Sequence, residues 1–277
     1  MSSVHRSAER LTADELSRYR AEGFIIPQSS LPAPLFQCLS NALQQRLQLL
    51  GERQRPDFIP LPHTPGADAS DAEVENARDF FAVATDDFIL DIVEQVIGEN
   101  IILWASALFC KPAATGLEVP WHQDGQYWPI RPRANVTVWI AIDDVDKTNA
   151  CLRVIPGSHN VGEFTHRTSS REDLVLNNVL DDSRLDLATA VDIELAAGKF
   201  SLHDVDLVHG SQANTSGRRR AGYALRFMPA SSCYDRTIDP GAASTTVPLE
   251  FAERPIWLVR GENLHPENEF NIGHTHW

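Results

Sequence analysis

The run "KFSLHDVDLVHGSQANTSGRRRAGYALRFMP", residues 199–229, decides the fold class. β-branched and aromatic residues alternate with small or polar ones on both sides of the turn sequence "NTSG". Similar runs precede it: "IILWASALFCK" (101–111), "NVTVWIAIDDV" (135–145) and "CLRVIPGS" (151–158). Short runs of this kind, separated by turn residues, predict a succession of antiparallel strands from Ile101 onward.

Before these strands the pattern is helical. In "LTADELSRYRAEGFII" (11–26), Thr12 and Glu15 have capping-box spacing and Gly23 ends the predicted helix, ahead of a short strand in "GFIIP". A second helix is predicted in "APLFQCLSNALQQRLQLLG" (33–51) and a third in "DDFILDIVEQVIG" (86–98). Four leucines share one face of the second helix and are predicted to be core: Leu35, Leu39, Leu43 and Leu47. The polar, proline-broken stretch from Gly51 to Asn76 predicts a loop, and residues 51–80 could cover a site.

Helices followed by a run of strands indicate an α+β protein with a mainly β core, a sandwich or jelly roll with the N-terminal helices packed outside. With 277 residues, 43% of them hydrophobic, the chain can bury a sizeable core. We expect a single domain, 1–277, with a helical part at about 1–100, a β core at about 101–230 and a C-terminal extension at 231–277.

The composition excludes several kinds of partner. A formal net charge of -14 argues against binding to nucleic acid or to an anionic membrane surface, either of which needs a concentrated basic face. No apolar run approaches the roughly 20 residues that span a bilayer. The four cysteines form no CxxC pair and the N-terminus has no apolar segment of the signal-peptide type, so we expect a cytoplasmic protein.

The stretch "VPWHQDGQYWPI", residues 119–130, suggests a metal site. Residues i and i+2 of a strand project to the same face, so His122 and Asp124 can point at one ion. A second imidazole would complete the two-histidine, one-carboxylate set of non-haem Fe(II) oxygenases, and His209 ends a predicted strand. Arg220 begins the next strand, beside the metal, where its guanidinium could hold the far carboxylate of a dicarboxylate cosubstrate through two hydrogen bonds.

Three blocks resemble the phytanoyl-CoA dioxygenase family: "WHQDGQYWPIRP" (121–132), "VWIAIDDVDKTNACLRVIPGSH" (138–159) and "HGSQANTSGRRRAGYALRF" (209–227). The resemblance is densest from about Leu108 to Pro229. It implies a double-stranded β-helix, which is a cupin-like jelly roll, and an enzyme that uses Fe(II), 2-oxoglutarate and O2. By this similarity His122, Asp124 and His209 are the iron ligands. One departure is Ala150, where "NGC" is more common in the family than the "NAC" of this chain.

The same resemblance assigns the cosubstrate site. Arg220 matches the arginine that binds the distal carboxylate of 2-oxoglutarate, and Ser211, Trp139 and Lys111 match positions that often line the cosubstrate. The implied reaction hydroxylates a C–H bond of a small molecule and releases succinate and CO2. Relatives that halogenate carry a small residue in place of the carboxylate ligand, so Asp124 favours hydroxylation.

Neighbouring residues have competing interpretations. His203 is a rival metal ligand if the strand to His209 is unbroken, although we favour a role in the pocket. Arg218 and Arg219 are predicted to lie in a solvated turn. Alternation places Gly222 and Ala224 on the face of Arg220, where these two small residues are predicted to leave room for a ligand. His159 is expected in a loop, and His274 and His276 are expected in a flexible, solvated C-terminal tail.

The substrate is left open between two chemistries. Three arginines near the motifs could meet an anionic group such as a carboxylate, an amino acid or a phosphonate: Arg131, Arg133 and Arg153. Four aromatic residues could equally shape an apolar pocket, for example for a secondary metabolite: Trp121, Tyr127, Trp128 and Trp139. The sequence leaves open whether the protein is a monomer or a homo-oligomer.

Two functions of other classes remain compatible with the sequence. A different metal in the same three-ligand site would give a cupin-like hydrolase or isomerase, since ligand types alone do not choose between iron, manganese and zinc. A non-catalytic jelly-roll binding protein is the other alternative. Arg220 separates them, because only the oxygenase needs a carboxylate clamp beside the metal.

Overall fold

A computed structural model of the protein describes residues 10–51, 57–181, 183–238 and 250–276. The helices have the following bounds: α1 Ala13–Glu22, α2 Ala33–Leu50, α3 Asp71–Ala84 and α4 Asp87–Ile97. In α1 the predicted capping box forms, with the Thr12 hydroxyl accepting from Glu15 N and the Glu15 carboxylate accepting from Thr12 N. Gly23 then ends the helix in the left-handed conformation, at φ 81°. The predictions for α1, α2 and α4 are confirmed.

The leucine face of α2 is core, as predicted. Leu39 and Leu43 are fully buried, while Leu35 and Leu47 are partly buried and pack against the same cluster. That cluster joins side chains of all the helices named above to one face of a large sheet. The helices are therefore packed on the outside of the β core.

The prediction of a loop from Gly51 to Asn76 is wrong in part. α3 begins at Asp71, and its N-terminus is closed by a capping box between Ser70 and Glu73. This S-x-x-E spacing was present in the sequence and could have located the helix. Upstream, Ile59–Pro60 form strand β2, which pairs with Leu108 and Ala107. Residues 52–56 lie outside the described part of the chain.

The strands have these bounds: β1 Phe24–Ile25, β2 Ile59–Pro60, β3 Ile101–Lys111, β4 Val119–His122, β5 Ile130–Arg131, β6 Val136–Ala141, β7 Leu152–Val154, β8 His166–Thr168, β9 Asn178–Leu180, β10 Val191–Ile193, β11 Phe200–Asp204, β12 His209–Ser211, β13 Arg220–Pro229, β14 Cys233–Tyr234 and β15 Trp257–Arg260. The larger sheet has the order β1–β11–β6–β13–β3–β15, with β2 also paired to β3. The smaller sheet has the order β10–β7–β12–β4. The pairings within both sheets are antiparallel, which confirms an α+β protein with a mainly β core.

Strand β13 shows how alternation separates the two faces of the larger sheet. Its odd-numbered residues from Ala221 to Phe227 pack in the cluster that contains the helices. The even-numbered Ala224 faces the smaller sheet, in a cluster with Leu152 and Leu207. Side chains of successive residues point to opposite faces, so Arg220, Gly222 and Arg226 share the Ala224 face.

Segments outside residues 101–230 complete the larger sheet. β1, from the N-terminal part, pairs with β11, and β15, from the C-terminal part, pairs with β3. Residues after 230 therefore contribute to the β core as well as extending it. No helix in the described ranges is both long enough and apolar enough to cross a membrane.

Candidate active site

Three side chains predicted to bind metal come together between the two sheets. His122 ends β4 and His209 begins β12, and the two residues are directly paired across these strands. Asp124 lies 3.5 Å from His122 Nε2 and 3.8 Å from His209 Nε2 through its two carboxylate oxygens. One ligand atom from each residue lies within 4.8 Å of the others, and all three residues are buried. This spacing can hold a single divalent ion.

Two details of the predicted backbone are wrong. Asp124 does not lie on the strand but begins a 3₁₀ turn, Asp124–Gln126, after β4. Its side chain still faces the same ion position as that of His122, because Gln123 between them has extended backbone angles. Likewise His209 begins a strand instead of ending one, since the run from 199 to 211 divides into β11 of the larger sheet and β12 of the smaller sheet.

The two imidazoles are oriented for metal binding. His122 Nδ1 lies 2.8 Å from the carbonyl oxygen of Pro120, and His209 Nδ1 lies 2.9 Å from that of Leu207. A carbonyl oxygen only accepts hydrogen bonds, so each Nδ1 carries the proton and each Nε2 keeps a free lone pair toward Asp124. The donor set therefore fits a divalent ion on the Nε2 side of both rings.

The electrostatics agree with a cation site. Burial and the neighbouring His122 hold the pKa of His209 well below its usual value, so this imidazole stays neutral and free to bind metal. Burial acts to raise the pKa of Asp124, but the neighbouring side chains of His209, His122 and Arg226 outweigh it, and the pKa of Asp124 is lowered. A neutral imidazole beside an ionised carboxylate is the protonation state that a metal site requires.

Gln123, between two of the ligands, fixes the turn and was missed by the sequence reasoning. Its amide nitrogen donates to the carbonyl oxygens of Asp206 (2.7 Å) and Gly162 (3.0 Å), and its amide oxygen accepts from Phe164 N (2.8 Å). These three bonds tie the end of β4 to the loop before β12 and to the segment before β8. The fully buried Gln123 therefore holds its two neighbours, His122 and Asp124, in position.

His203 lies in the pocket without joining the three potential ligands. It comes from β11, and its Nε2 is 4.0 Å from Asp124 Oδ2. Neither ring nitrogen has a hydrogen-bond partner among the described residues, and burial lowers the pKa of His203 to about 4. The predicted continuous strand to His209 does not exist, yet both rings face the same cavity, 4.7 Å apart.

Arg220 is buried in the same cavity, which has a volume of about 390 Å³. Its guanidinium lies over the Trp139 ring, with 4.8 Å from Cζ to the ring centroid. No acidic residue in the described ranges pairs with it, and its Nε is buried without a partner. Burial lowers the pKa of Arg220 to about 10, so the group is still a cation at neutral pH. An unpaired buried guanidinium is well suited to a carboxylate ligand.

The small residues beside Arg220 have different roles from the one predicted. Ala224 lines the cavity, as expected of a residue that leaves room for a ligand. Gly222 instead makes room for Trp139, because a Cβ atom at Gly222 would lie 2.0 Å from the indole Cζ2. The expectation that Gly222 leaves space for a ligand is therefore wrong.

Ser211 and Lys111, also predicted at the cosubstrate, occupy different positions. Ser211 lines the cavity with Trp139 and Arg220. Lys111 is fully buried beside the cavity without lining it, and its Nζ donates to Ser211 Oγ at 2.8 Å and to the carbonyl oxygen of Gln212. Lys111 thus acts on the cavity through the Ser211 hydroxyl.

Arg218 and Arg219, which were expected to lie in a solvated turn, each pair with a carboxylate. Arg218 is half-exposed and pairs with Asp146 at 2.5 Å, as a turn residue can. Arg219 binds Asp143 through two parallel hydrogen bonds of 2.8 and 2.7 Å, and Asp143 also accepts from Ala221 N. Arg219 is therefore a structural ion pair rather than a free surface charge.

The three arginines considered for an anionic substrate all have protein partners. Arg131 donates to the carbonyl oxygens of Trp128 and Ile130. Arg133 pairs with Glu163 and Asp206, and Arg153 pairs with Asp192 and lies over the Trp121 ring. The arginine that lines the metal cavity together with Arg220 is Arg226, which was missed. Continuing the alternation of Arg220, Gly222 and Ala224 by one more step would have found it.

The three further histidines considered in the sequence do not line the cavity. His159 Nε2 is 3.2 Å from the carbonyl oxygen of Arg20. His274 packs edge-on against Trp257, and His276 Nε2 lies 2.9 Å from the carbonyl oxygen of Gly66. The predicted flexible tail therefore contacts the rest of the protein.

Comparison with known proteins agrees with this site. The family model described as "Phytanoyl-CoA dioxygenase (PhyH)" matches residues 19–222. The chain belongs to the phytanoyl-CoA dioxygenase family. The predicted class, a 2-oxoglutarate-dependent non-haem iron dioxygenase that uses Fe(II), 2-oxoglutarate and O2, is confirmed.

The individual relatives and solved structures described next share less than a third of their aligned residues with this chain. A probable alpha-ketoglutarate-dependent hypophosphite dioxygenase of Stutzerimonas stutzeri is 31% identical over 173 residues, which are 57% of this chain and 57% of that protein. The ectoine dioxygenase of Halomonas elongata is 28% identical, and the match covers 88% of this chain and 77% of that protein. Among solved structures, an apo non-heme monooxygenase, ThoJ, is 26% identical with a TM-score of 0.65, covering 90% of this chain and 84% of that chain.

Proposed function

We propose that this protein hydroxylates a C–H bond of a small molecule on a double-stranded β-helix scaffold formed by its two antiparallel sheets. In the balanced reaction the substrate, 2-oxoglutarate and O2 give the hydroxylated product, succinate and CO2. One observation carries the proposal: a buried arginine, Arg220, which has no carboxylate partner in the described part of the chain, shares a cavity with the three potential iron ligands. A metal-dependent hydrolase or a binding protein has no need of that arginine.

His122, Asp124 and His209 would hold the iron from one side, through Nε2 of each imidazole and a carboxylate oxygen. Three protein ligands leave coordination positions for the cosubstrate and O2. The bound iron, with 2-oxoglutarate and O2, supplies the oxidising chemistry, which belongs to the metal and cosubstrate rather than to the protein. The protein contributes the imidazole of His209, which its lowered pKa keeps neutral, and the carboxylate of Asp124, which is already ionised.

Arg220 would bind the distal carboxylate of 2-oxoglutarate. Its planar guanidinium offers two parallel donors, and Trp139 beneath it restricts the directions in which they point. The Ser211 hydroxyl, which accepts from Lys111 Nζ, is left free to donate its own proton to the same carboxylate. Lys111 is thereby a positioning residue for Ser211.

Exclusion of water is the remaining contribution of the chain. The cavity is walled by Phe109, Val119 and Leu152 beside the polar groups, and the carboxylate-binding end is almost completely buried. Low solvent access strengthens the Arg220–carboxylate attraction. It also restricts access of competing reactants to the oxidising centre.

The test is turnover with Fe(II) and 2-oxoglutarate across a panel of acyl thioesters, amino acids, phosphonates and secondary metabolites. We expect one class to raise succinate release well above the substrate-free level, with a product that gains one oxygen atom from labelled O2. We expect no chloride or bromide in the product at high halide concentration. Halogenated product, or the absence of 2-oxoglutarate consumption from iron-loaded protein, would contradict the proposal.

A further inference from the structure

A second cavity, of about 420 Å³, adjoins the metal cavity. The two share Phe109 and Arg226 in their walls, so they form neighbouring compartments of one site. The walls of the second cavity are largely aromatic, and they include Trp104, Trp128 and Phe251. Its charged groups are two arginines, Arg226 and Arg254. A mostly apolar pocket with few convergent polar groups is the usual form of a small-molecule site.

Neither arginine has an anionic partner within residues 10–51, 57–181, 183–238 and 250–276. The Nε atoms of Arg226 and Arg254 are both buried with no hydrogen-bond partner, and no ion pair to a described carboxylate involves either residue. Arg254 is only 8% exposed. Each guanidinium lies over aromatic rings instead, Arg226 over Trp128 at 5.1 Å and Arg254 over Phe251 at 5.1 Å.

The two positive charges also act on each other. Burial lowers the pKa of Arg254, and the nearby charge of Arg226 lowers it further. The guanidinium of arginine is a cation at neutral pH. A buried positive charge beside a second one is unfavourable, and a bound anion would relieve both the repulsion and the loss of hydration of Arg254.

Other arginines of this region do have acceptors for their guanidinium groups. Arg236 donates to the carbonyl oxygens of Ala252, Arg254 and Glu269. Arg133 is paired with two carboxylates, Glu163 and Asp206. The fold therefore provides acceptors for neighbouring guanidinium groups and leaves Arg226 and Arg254 facing the cavity.

We propose that Arg226 and Arg254 bind the anionic head group of the substrate, and that the substrate is a small molecule with a carboxylate, phosphonate, phosphate or sulfate group on an aromatic or apolar body. This inference rests on the proposed function, because it takes the metal cavity as the place of reaction. The aromatic walls accept the body of the substrate by burying apolar surface, and the paired guanidinium groups bind its charge.

The position of Arg226 relative to the metal supports this arrangement. Arg220 and Arg226 stand on the same face of β13, six positions apart, which corresponds to roughly 20 Å of strand. Both line the metal cavity, and Arg226 alone of the two also lines the second cavity. The cosubstrate anion and the substrate anion thus have separate arginines, with the three potential ligands in the same cavity as both.

A simpler role for Arg226 would be to support Asp124, whose pKa it helps to lower. That role does not explain Arg254, which is not among the groups that affect Asp124 and which faces the second cavity. The two interpretations therefore differ in what they predict for Arg254. The experiment is built on that residue.

The measurement is calorimetric titration of the protein loaded with Ni(II) and saturated with 2-oxoglutarate, so that no turnover occurs. The probes are benzoate and benzylphosphonate, with benzamide and benzyl alcohol as neutral partners of similar size, at fixed ionic strength and low chloride. We expect at least one anion to bind roughly 10-fold or more tightly than its neutral partner. Arg226→Gln and Arg254→Gln should each weaken the anion about 10- to 100-fold and leave the neutral probe nearly unchanged.

Two further variants serve as controls. Arg254→Lys keeps the charge without the planar fork and should retain part of the affinity, which shows that loss in Arg254→Gln is not misfolding. Arg167→Gln removes an exposed arginine that is paired with Asp181 and should change nothing. Thermal unfolding of each variant checks that it is folded.

The outcomes are distinguishable from failure of the proposed function. Binding of Ni(II) and 2-oxoglutarate is measured first, and its absence in the wild type would contradict the proposed function rather than the anion site. The anion site is overturned if neither anion binds more tightly than its neutral partner, or if Arg254→Gln binds the anions like the wild type. It is also overturned if Arg254→Gln weakens 2-oxoglutarate as strongly as Arg220→Lys does, since the cavity would then hold the cosubstrate.

Discussion

The guanidinium of Arg220 lies over the indole of Trp139, with 4.8 Å between Cζ and the ring centroid. The two residues come from the paired strands β13 and β6, but Trp139 is the register partner of Ala224, four positions from Arg220. The indole bridges this distance by crossing the backbone of Gly222, where a side chain would collide with it. The orientation of the predicted cosubstrate arginine thus depends on an aromatic ring and on a glycine of its own strand.

The first prediction concerns Arg220. Arg220→Lys keeps the positive charge but loses the planar pair of donors and the stacking over Trp139, so we expect weaker binding of 2-oxoglutarate by about 10- to 100-fold. Metal affinity should be unchanged. Titration of 2-oxoglutarate at fixed iron measures the effect, with Arg218→Ala as the control because that residue is half-exposed. A large shift in Arg218→Ala and none in Arg220→Lys would contradict the assignment.

The second prediction concerns Gly222. Gly222→Ala places a methyl group 2.0 Å from the Trp139 ring, and overpacking of this kind destabilises a protein by about 1–3 kcal/mol. Displacement of the ring should also weaken 2-oxoglutarate binding. Urea unfolding and a 2-oxoglutarate titration measure the two effects. Gly217→Ala is the matched control, because a Cβ atom there meets no atom within 4 Å. Equal behaviour of the two variants would contradict the close packing of Trp139 on Gly222.

The third prediction concerns the metal ligands. His209→Ala should reduce bound iron to the level of a protein without the site and abolish succinate formation, while leaving the fold largely intact. His203→Ala is the control, because His203 lies in the same cavity but outside the three-ligand group, and it should keep its iron. Metal content after dialysis measures iron binding, and thermal unfolding checks that each variant is folded. Retention of iron by His209→Ala and its loss from His203→Ala would exchange the roles of the two histidines.

The fourth prediction concerns the dependence of stability on pH. His63 is fully buried with Nδ1 2.5 Å from Ser106 Oγ, and burial followed by the charge of Arg254 lowers its pKa from 6.5 to about 3. Below pH 6.5 the unfolded chain therefore binds a proton on His63, whereas the folded protein binds it only near pH 3. The contribution of His63 to the free energy of unfolding is fully present above pH 6.5. It falls with decreasing pH by about 1.4 kcal/mol per pH unit between these two values.

The variant His63→Asn removes this contribution. Between pH 7 and pH 5 the wild type should lose about 2 kcal/mol more of its free energy of unfolding than the variant does. Denaturant unfolding of metal-free protein at the two pH values measures the difference, and the buried histidines of the metal site cancel because both proteins contain them. Parallel pH profiles would show that His63 titrates normally in the folded protein.

Local sequence patterns predict the strand succession, the capped helix α1 and the side chains of the candidate site. Each of these rests on a local rule: period-2 alternation, capping-box spacing, or the i and i+2 positions of His122 and Asp124. The family blocks add His209 and Arg220 because their order along the chain is visible in the sequence. Helix α3 was equally local, and its Ser70–Glu73 signal was overlooked.

Which charged side chains have partners depends on the tertiary structure and is not visible in the sequence. Arg131, Arg133 and Arg153 look available in the sequence, but backbone carbonyls and acidic residues bind all three. Arg226 and Arg254 carry no signal in the sequence, yet both line the second cavity, whose described walls contain no carboxylate. A guanidinium is bound or free according to which acceptors the fold brings within about 3 Å. Periodicity fixes the face to which a side chain points, whereas the groups opposite it come from strands distant in sequence, such as β13 and the segment after β14.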